Sequence, residues 1–362
     1  MRIGDNLMPT IPIVIPTYEP DDRFIALLKE LISKHLTPII VIDDGSGNKY
    51  KHFFEKAERI ISNNGVILTH LSNKGKGAAL KTGFTYILQN FSNAIGCITI
   101  DSDGQHSVDC IIKVKEIFEK NPHCLILGTR LFTGNNIPWK SKFGNIITKH
   151  IFSFFTGLHL SDTQTGLRCV PYSFLNDLIK IPENRFEFET QMLIQSISRY
   201  SIIETPIKTI YDSVTNHSTH FNPIADSWKI YKIIGSQFLK YFLSSVSSFV
   251  LDVLLFWCFC KLLKNNFSES YLIFATILAR CFSFLYNFII NYKLVFCSKS
   301  NKFPSFLKYF FLAAVIMGIS ALSVHILWIS FHFYSEVFNK IVIDSILFII
   351  TFKLQKNWVF KN

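Results

Sequence analysis

Ile100-Asp101-Ser102-Asp103-Gly104-Gln105-His106 is the stretch that decides how this chain is read. It closes the apolar run Ile95-Gly96-Cys97-Ile98-Thr99-Ile100, which has the length and composition of a buried strand in an α/β sheet. Ligands of such sheets sit at the carboxyl ends of the strands. Asp101 and Asp103, spaced i, i+2 just past a strand end, are therefore predicted to point into a binding crevice. The amide oxygen of Gln105 extends that set. Hard oxygen donors of this kind, incomplete on the protein side, suit Mg²⁺ or Mn²⁺ that also holds substrate phosphates. The stretch predicts the metal end of a nucleotide site.

The segments before it repeat the plan. Thr10 to Pro16 reads as a first strand, Thr17-Tyr18-Glu19-Pro20 as a loop, and Asp21 to His35 carries helical periodicity. Pro38-Ile39-Ile40-Val41-Ile42 ends in Asp43-Asp44-Gly45-Ser46-Gly47, where one carboxylate would accept hydrogen bonds from a base or ribose; a solvated turn uses the same residues. Val66-Ile67-Leu68 leads to Asn73-Lys74-Gly75-Lys76-Gly77 and a helix from Ala78. Glycines and two lysines before a helix make an anion cradle, without the spacing of a Walker loop.

After it, a helix is predicted from about Ser107 to Lys120, and a strand from Cys124 to Gly128 with Thr129-Arg130 at its end. Guanidinium geometry makes Arg130 the first candidate for a phosphate clamp. A basic segment, Lys140-Ser141-Lys142-Phe143-Gly144-Asn145, follows, then the polar run Ser161-Asp162-Thr163-Gln164-Thr165-Gly166-Leu167-Arg168. Arg185-Phe186-Glu187-Phe188-Glu189 opens a helix to about Tyr200. Its two acids read either as a base beside the metal or as first-turn acids at a helix amino terminus. Ile202 to Ile210 is a further strand. His217 and His220 lack neighbouring Cys or His that would complete a metal site. The alternation of strand and helix predicts a doubly wound, Rossmann-like α/β domain.

The rest of the chain is different in kind. From Phe238 to Phe360 apolar and aromatic residues dominate, drawing on a total of 36 Phe and 49% hydrophobic residues. Four segments, near Tyr241 to Leu263, Tyr271 to Tyr292, Tyr309 to Phe331 and Phe338 to Leu354, approach or exceed the roughly 20 residues that span hydrocarbon. Trp228, Lys229, Tyr231, Lys232 and Lys240 suit a helix lying at the interface before them. Phe238-Leu239-Lys240-Tyr241-Phe242-Leu243 recurs as Phe306-Leu307-Lys308-Tyr309-Phe310-Phe311, and Asn291-Tyr292-Lys293-Leu294-Val295-Phe296 is echoed by Gln355-Lys356-Asn357-Trp358-Val359-Phe360. Two helical hairpins of similar plan are implied. Asp252 and Arg280 lie midway along the first two spans, where either charge alone is costly, so they are predicted to pair.

A net charge of +11 fits an anionic membrane surface; nucleic acid is not expected, since neither a basic stripe interleaved with aromatics nor zinc-finger spacing is present. The eight Cys follow no disulfide or metal pattern and read as structural thiols of a reduced compartment. Met1 to Pro9 has no apolar core of signal-peptide length, which puts the amino terminus in the cytoplasm. Lys293, Lys299, Lys302 and Lys308, without an acid among them, put the linker after the second span there too.

In their order, Ile15-Pro16-Thr17-Tyr18, Asp43-Asp44-Gly45-Ser46, Asn73 to Gly77, Asp101 to His106, Gly128-Thr129-Arg130, Ser161 to Arg168, Arg185 to Glu189 and Ser218-Thr219-His220-Phe221 resemble the polyprenyl-phosphate glycosyltransferases, relatives of dolichol-phosphate mannose synthase in glycosyltransferase family 2. The second half resembles the GtrA-like four-helix membrane proteins fused to, or encoded beside, such transferases and linked to moving or holding lipid-linked sugars. The resemblance implies a GT-A fold over residues 1–226, a juxtamembrane helix over 227–240 and a four-helix membrane domain over 241–362. It implies a nucleotide-sugar donor, a polyprenyl phosphate acceptor (undecaprenyl or dolichyl phosphate) and a Mg²⁺ or Mn²⁺ cofactor.

Carried over residue by residue, Pro16, Tyr18, Glu19, Asp43, Asp44, Lys76, Asp101 and Ser102 would meet the donor nucleotide, and Asp101, Asp103 and Gln105 the metal. Asp103, Arg130 and Lys142 would carry the chemistry. Arg130, Asp162, Gln164, Thr165, Arg168, Glu189 and His220 would face acceptor and sugar. Lys142 stands where relatives often have Arg before Phe-Gly-Asn, which keeps the charge and loses the bidentate fork. The expectation is an inverting transfer of one sugar at the cytoplasmic face by a multi-pass protein of the cell membrane with both termini cytoplasmic, as a monomer or homo-oligomer. Two other readings stand beside it. One is a lipid-linked sugar transporter or scaffold with an inactive transferase domain. The other is a processive polysaccharide synthase, whose Gln-x-x-Arg-Trp motif is missing after residue 185.

Overall fold

The structure is a computed structural model that describes residues 9–130, 139–197, 199–207, 225–264, 271–298, 300–330 and 336–361. The chain divides into two units, 1–234 and 235–362.

Strands of the first unit form one mixed sheet. They are β1 (Ile13–Thr17), β2 (Ile39–Asp43), β3 (Gly65–Thr69), β4 (Gly96–Thr99), β5 (Leu125–Arg130), β6 (Arg168–Pro171) and β7 (Ile202–Ile207), in the spatial order β3-β2-β1-β4-β6-β5-β7. All pairings are parallel except those of β6, which runs antiparallel to β4 and β5. The apolar runs of β1, β2 and β4 are continuous because these inner strands are buried on both faces. Ile13, Ile15, Ile39 and Val41 join one core, while Val14, Ile40 and Ile42 join the other.

The helices that cover these faces are α1 (Asp22–Ser33), α2 (Lys51–Ile61), α3 (Lys76–Asn90), α4 (Val108–Lys120), α5 (Trp139–Thr156), α6 (Tyr172–Leu178) and α7 (Glu187–Ser196). Phe24, Leu28 and Leu31 of α1, Ala57 and Ile61 of α2 and Val114 and Phe118 of α4 fill the first core. Leu80, Phe84 and Ile87 of α3 and Phe174 and Phe188 fill the second. Asp21 caps α1 by accepting the Arg23 amide at 2.9 Å.

Arg168, the last residue of the polar run, opens β6, a four-residue strand in the middle of the sheet that no apolar run announces. Four residues, two of them Arg168 and Pro171, carry too little alternation to announce a strand. The expected separate interfacial helix over 227–240 is instead the beginning of one uninterrupted helix, α8 (Ala225–Leu263). Its Ile230 and Ile234 are buried in the second core of the sheet unit, and Tyr231 hydroxyl lies 3.3 Å from Thr148 Oγ1. Gly235 does not break it, because each residue on either side is helix-competent.

In the second unit, α9 (Tyr271–Ile290), α10 (Lys302–Ser330) and α11 (Glu336–Leu354) follow the rest of α8. Among the described residues three stretches are long and apolar enough to cross a membrane: Ile230–Leu263, Phe274–Val295 and Lys302–Ser320. The segment expected as a fourth span forms a helix, α11, which carries Glu336, Lys340, Asp344 and Lys353 and is not among those three stretches. Large apolar side chains such as Phe249, Trp257, Phe282 and Phe311 are exposed, the reverse of a soluble surface.

The sequence repeat has a structural counterpart. Both α9 and α11 run on into a π-helical turn, Asn291–Val295 and Gln355–Val359. The repeat-equivalent residues Asn291 and Gln355 are both buried, and the Asn291 amide donates to Gln355 Oε1 at 3.2 Å. Phe296 and Phe360, also equivalent, stack at 5.1 Å. Asp252 and Arg280 pair as expected, Nε to Oδ2 at 3.5 Å, and Ser283 Oγ donates to Asp252 Oδ1 at 2.9 Å. All eight cysteines are free thiols.

Candidate active site

The carboxyl edge of the sheet gathers the polar segments picked out in the sequence. Asp43 ends β2, and its Oδ1 accepts the Ser46 amide at 2.9 Å. Ser46 Oγ in turn accepts the amide of Glu19, which holds φ at +51° just past β1. The turns after Pro16-Thr17-Tyr18 and after Asp43 are thereby fastened together. Burial, reinforced by Glu19, raises the Tyr18 phenol pKa.

Asp44 does a different job from the one expected of it. Its Oδ1 accepts from the Lys74 amide at 3.0 Å and meets His70 Nδ1 at 2.7 Å; its Oδ2 accepts from the Gly75 amide at 2.7 Å. With 3% exposure it pins the glycine turn and does not face an open base pocket. His70 Nε2 continues the chain to Thr82 Oγ1 at 2.9 Å. The turn itself requires glycine: at Gly75, φ is +101° and a Cβ would lie 2.5 Å from the Asn184 carbonyl oxygen.

That turn delivers Lys76 to the centre of the site. Its Nζ stands 2.7 Å from Asp101 Oδ1 and 2.9 Å from Glu189 Oε2. Burial alone would lower the ammonium pKa, but Asp101 and Glu189 outweigh it and push it up, so the lysine is charged. Asp101 is correspondingly held down: burial works against its charge, and Lys76, His106 and Arg130 prevail.

Asp103 sits in the opposite balance. Burial and the charge of Asp101 push its pKa up to about 6, although its Oδ1 accepts the Gln105 amide at 3.0 Å. Asp103 thus lacks the compensating cation that Asp101 has, and the two carboxylates with Gln105 make a hard-oxygen donor set that fits a divalent cation. Among the described residues no three or more His, Cys, Asp or Glu gather as a group that could hold a metal ion, so this set rests on two carboxylates and an amide. His106 is 6% exposed, its Nδ1 has no hydrogen-bond partner, and burial lowers its pKa against the pull of the Asp101 charge. Ser102 lies half-buried in the turn between the two acids.

The 161–168 segment supports this centre from beneath. Thr99 Oγ1 donates to the Gly166 carbonyl at 2.9 Å, and a Cβ at Gly166 would come 2.2 Å from Asp101 Oδ2. Arg130 Nε and Nη2 donate to Asp162 Oδ2 and Oδ1 at 2.7 and 3.0 Å, a bidentate pair with Asp162 fully buried. Asp162 Oδ1 also accepts the Gln164 amide at 3.0 Å.

Thr165 and Arg168 were expected to face acceptor and sugar, and the structure corrects both. Thr165 is 1% exposed and donates to the Gly128 carbonyl. Arg168 has no exposed surface, and its Nε and Nη1 donate to the carbonyls of Thr165 and Glu189 at 2.9 and 2.8 Å. It ties β6 to α7. The Lys142 side chain and His220 lie outside the described residues, though Lys142 belongs to α5. His70, His106 and Gly166 were not among the expected site residues. Only His106 had a signal, its place directly after Gln105.

Acids and an ammonium thus gather at the carboxyl edge of a mixed α/β sheet, where such folds bind their ligands. Residues 13–177 match Glycosyl transferase family 2, and residues 240–360 match the GtrA/DPMS transmembrane domain. An uncharacterized protein of Methanocaldococcus jannaschii is 30% identical over 216 residues, 58% of this chain and 85% of the relative. The UDP-N-acetylglucosamine–dolichyl-phosphate N-acetylglucosaminyltransferase of Methanococcus voltae is 30% identical over 217 residues, 56% of this chain and 86% of the relative. Among solved structures, the mannosyltransferase PcManGT of Pyrobaculum calidifontis, in complex with GDP-mannose and Mn²⁺, is 12% identical with a TM-score of 0.41 over 98% of this chain and 88% of that one. The chain belongs to glycosyl transferase family 2 and carries a GtrA/DPMS transmembrane domain.

Proposed function

We propose that the protein transfers a single sugar, with inversion, from a nucleotide-sugar donor to a polyprenyl phosphate at the cytoplasmic face of the membrane. The observation that carries this reading is the convergence of Asp101, Asp103, Lys76 and Arg130 on one strand edge, in a chain that also holds apolar membrane helices. The Methanococcus voltae relative, named for a dolichyl-phosphate acceptor, supports the acceptor class.

Asp43 and the Tyr18-Glu19 turn receive the nucleoside, and Lys76 meets the diphosphate. Asp101, Asp103 and Gln105 would hold Mg²⁺ or Mn²⁺, which neutralises charge on the departing nucleoside diphosphate when bound. Arg130, oriented by Asp162, holds the acceptor phosphate, with Lys142 as a second cation. A phosphomonoester is already largely ionised near pH 7, so no dedicated base has to activate it. Its oxygen attacks the anomeric carbon in line while the bond to the diphosphate breaks and the electron pair leaves with that group. An α-linked donor then gives a β-linked lipid phosphate sugar.

The test uses the full chain in detergent with Mn²⁺ or Mg²⁺, a polyprenyl phosphate and a panel of radiolabelled nucleotide sugars, scored for label in the lipid phase. Label transferred by the wild type and lost in Asp103→Ala supports the reading and names the donor. No transfer from any donor, with lipid-linked sugar still bound by the protein, would replace it with a transporter or scaffold.

A further inference from the structure

We propose that the Lys76 ammonium is a placeholder for the divalent cation: in the donor-free protein it occupies Asp101, and only a diphosphate that draws it away opens the metal site fully. The inference rests on the reading of Asp101 and Asp103 as metal ligands. It concerns what the chain does before the metal arrives.

Asp101 already holds one cation. Lys76 Nζ is 2.7 Å from its Oδ1, and the Gly166 backbone packs so close that a Cβ there would fall 2.2 Å from Oδ2. A divalent ion reaching Asp101 therefore shares the carboxylate with an ammonium or displaces it, and two cations on one carboxylate repel. Lys76 is positioned to let go without being stranded. Glu189 Oε2, 2.9 Å away, is a second anion on the opposite element, so the ammonium keeps one partner when it releases Asp101. A donor diphosphate supplies the other partner. The Gly75 turn, pinned by Asp44, fixes the base of the lysine while leaving its four-carbon stem to swing.

Metal and nucleoside diphosphate then bind with positive coupling that passes through Lys76, and the coupling is reciprocal. A charge-assisted bond of this kind sets the size of the effect at roughly ten- to a hundred-fold in metal affinity.

The experiment titrates Mn²⁺ into the full chain in detergent and reads free and bound ion by electron paramagnetic resonance, without donor and with uridine or guanosine diphosphate. Lys76→Met should bind Mn²⁺ alone at least about ten-fold more tightly than wild type. It should also lose most of the further tightening that the diphosphate gives. Lys29→Met, which removes an exposed charge on α1, should stay within about two-fold of wild type. Lys76→Gln carries the test if the Met variant melts early, and Lys76→Arg, which keeps a cation on Asp101, should behave as wild type. If neither neutral variant binds Mn²⁺ more tightly, while Asp103→Asn still weakens binding with diphosphate present, the metal site stands and the placeholder is overturned. If no variant and no wild type binds Mn²⁺ under any condition, the metal reading fails and the inference falls with it.

Discussion

Arg130 and Asp162 form a bidentate ion pair, Nε to Oδ2 at 2.7 Å and Nη2 to Oδ1 at 3.0 Å, that joins the end of β5 to the segment leading into β6. Burial alone would raise the Asp162 pKa; the Arg130 guanidinium outweighs it and holds the carboxyl below its ordinary value. A carboxyl whose folded pKa is depressed adds stability that is complete above the unfolded pKa and is lost as pH falls through the folded one. Wild type should therefore lose stability below about pH 4 along a limb that is shallower in Asp162→Asn, since other depressed carboxyls such as Asp101 remain. At pH 7 the same variant should be less stable by about 3 kcal/mol, since it removes the buried carboxylate that the guanidinium holds bidentately. Denaturation midpoints of the full chain from pH 3 to pH 7 measure both, and an unchanged acid limb in the variant would count against the pairing.

Gly166→Ala tests the floor under Asp101. A methyl 2.2 Å from Oδ2 forces the carboxylate to move, because the obstacle is a short side chain with no slack of its own. Sugar transfer should fall by about 100-fold or more, as misplacement near 1 Å does, while stability drops by only about 1–3 kcal/mol. Activity near wild type in a folded Gly166→Ala protein would show that Asp101 has no fixed role.

Arg168 separates support from substrate contact. It is fully buried, with carbonyl oxygens of Thr163, Thr165 and Glu189 around it. Arg168→Met should cost several kcal/mol by leaving those carbonyls unpaired. Whatever folded fraction survives should keep the acceptor KM of wild type. A raised acceptor KM with unchanged melting would restore the role the sequence suggested.

Asp252 and Arg280 in the membrane unit approach to 3.5 Å, and Ser283 shares Asp252. Each single Ala variant leaves a charge in an apolar setting. The double variant should therefore be more stable in detergent than the sum of the two losses predicts. Strictly additive melting shifts would mean that the two charges do not depend on each other.

Much of this molecule is written locally. The runs ending at Asp43, Asp101 and Arg130 were legible as strands because residues buried on both faces leave continuous apolar letters, and acids or cations just past them mark the carboxyl edge. The repeat of Phe238 to Leu243 at Phe306 foretold two hairpins, and the matching π-turns at Asn291 and Gln355 carry it into three dimensions. β6 escaped because four residues in a polar surround give no period to read. Arg168 and Thr165 were misread for a related reason: a polar run looks the same whether it is solvated or folded under a site.

The sequence by itself determined that a soluble α/β half precedes an apolar helical half, that its strands end in acids, and that Asp101 and Asp103 lie at such an end. Those properties depend on spacing along the chain and on hydrophobic period, which neighbouring residues specify. Only the tertiary structure decided that Lys76 bridges Asp101 and Glu189, that Asp44 pins the glycine turn through the Lys74 and Gly75 amides, and that Asp162 holds Arg130. Those pairings join residues far apart in sequence. They are chosen by which loops the strand order brings to one edge, with β6 inserted antiparallel between β4 and β5, and by the requirement that every charge buried there find a partner.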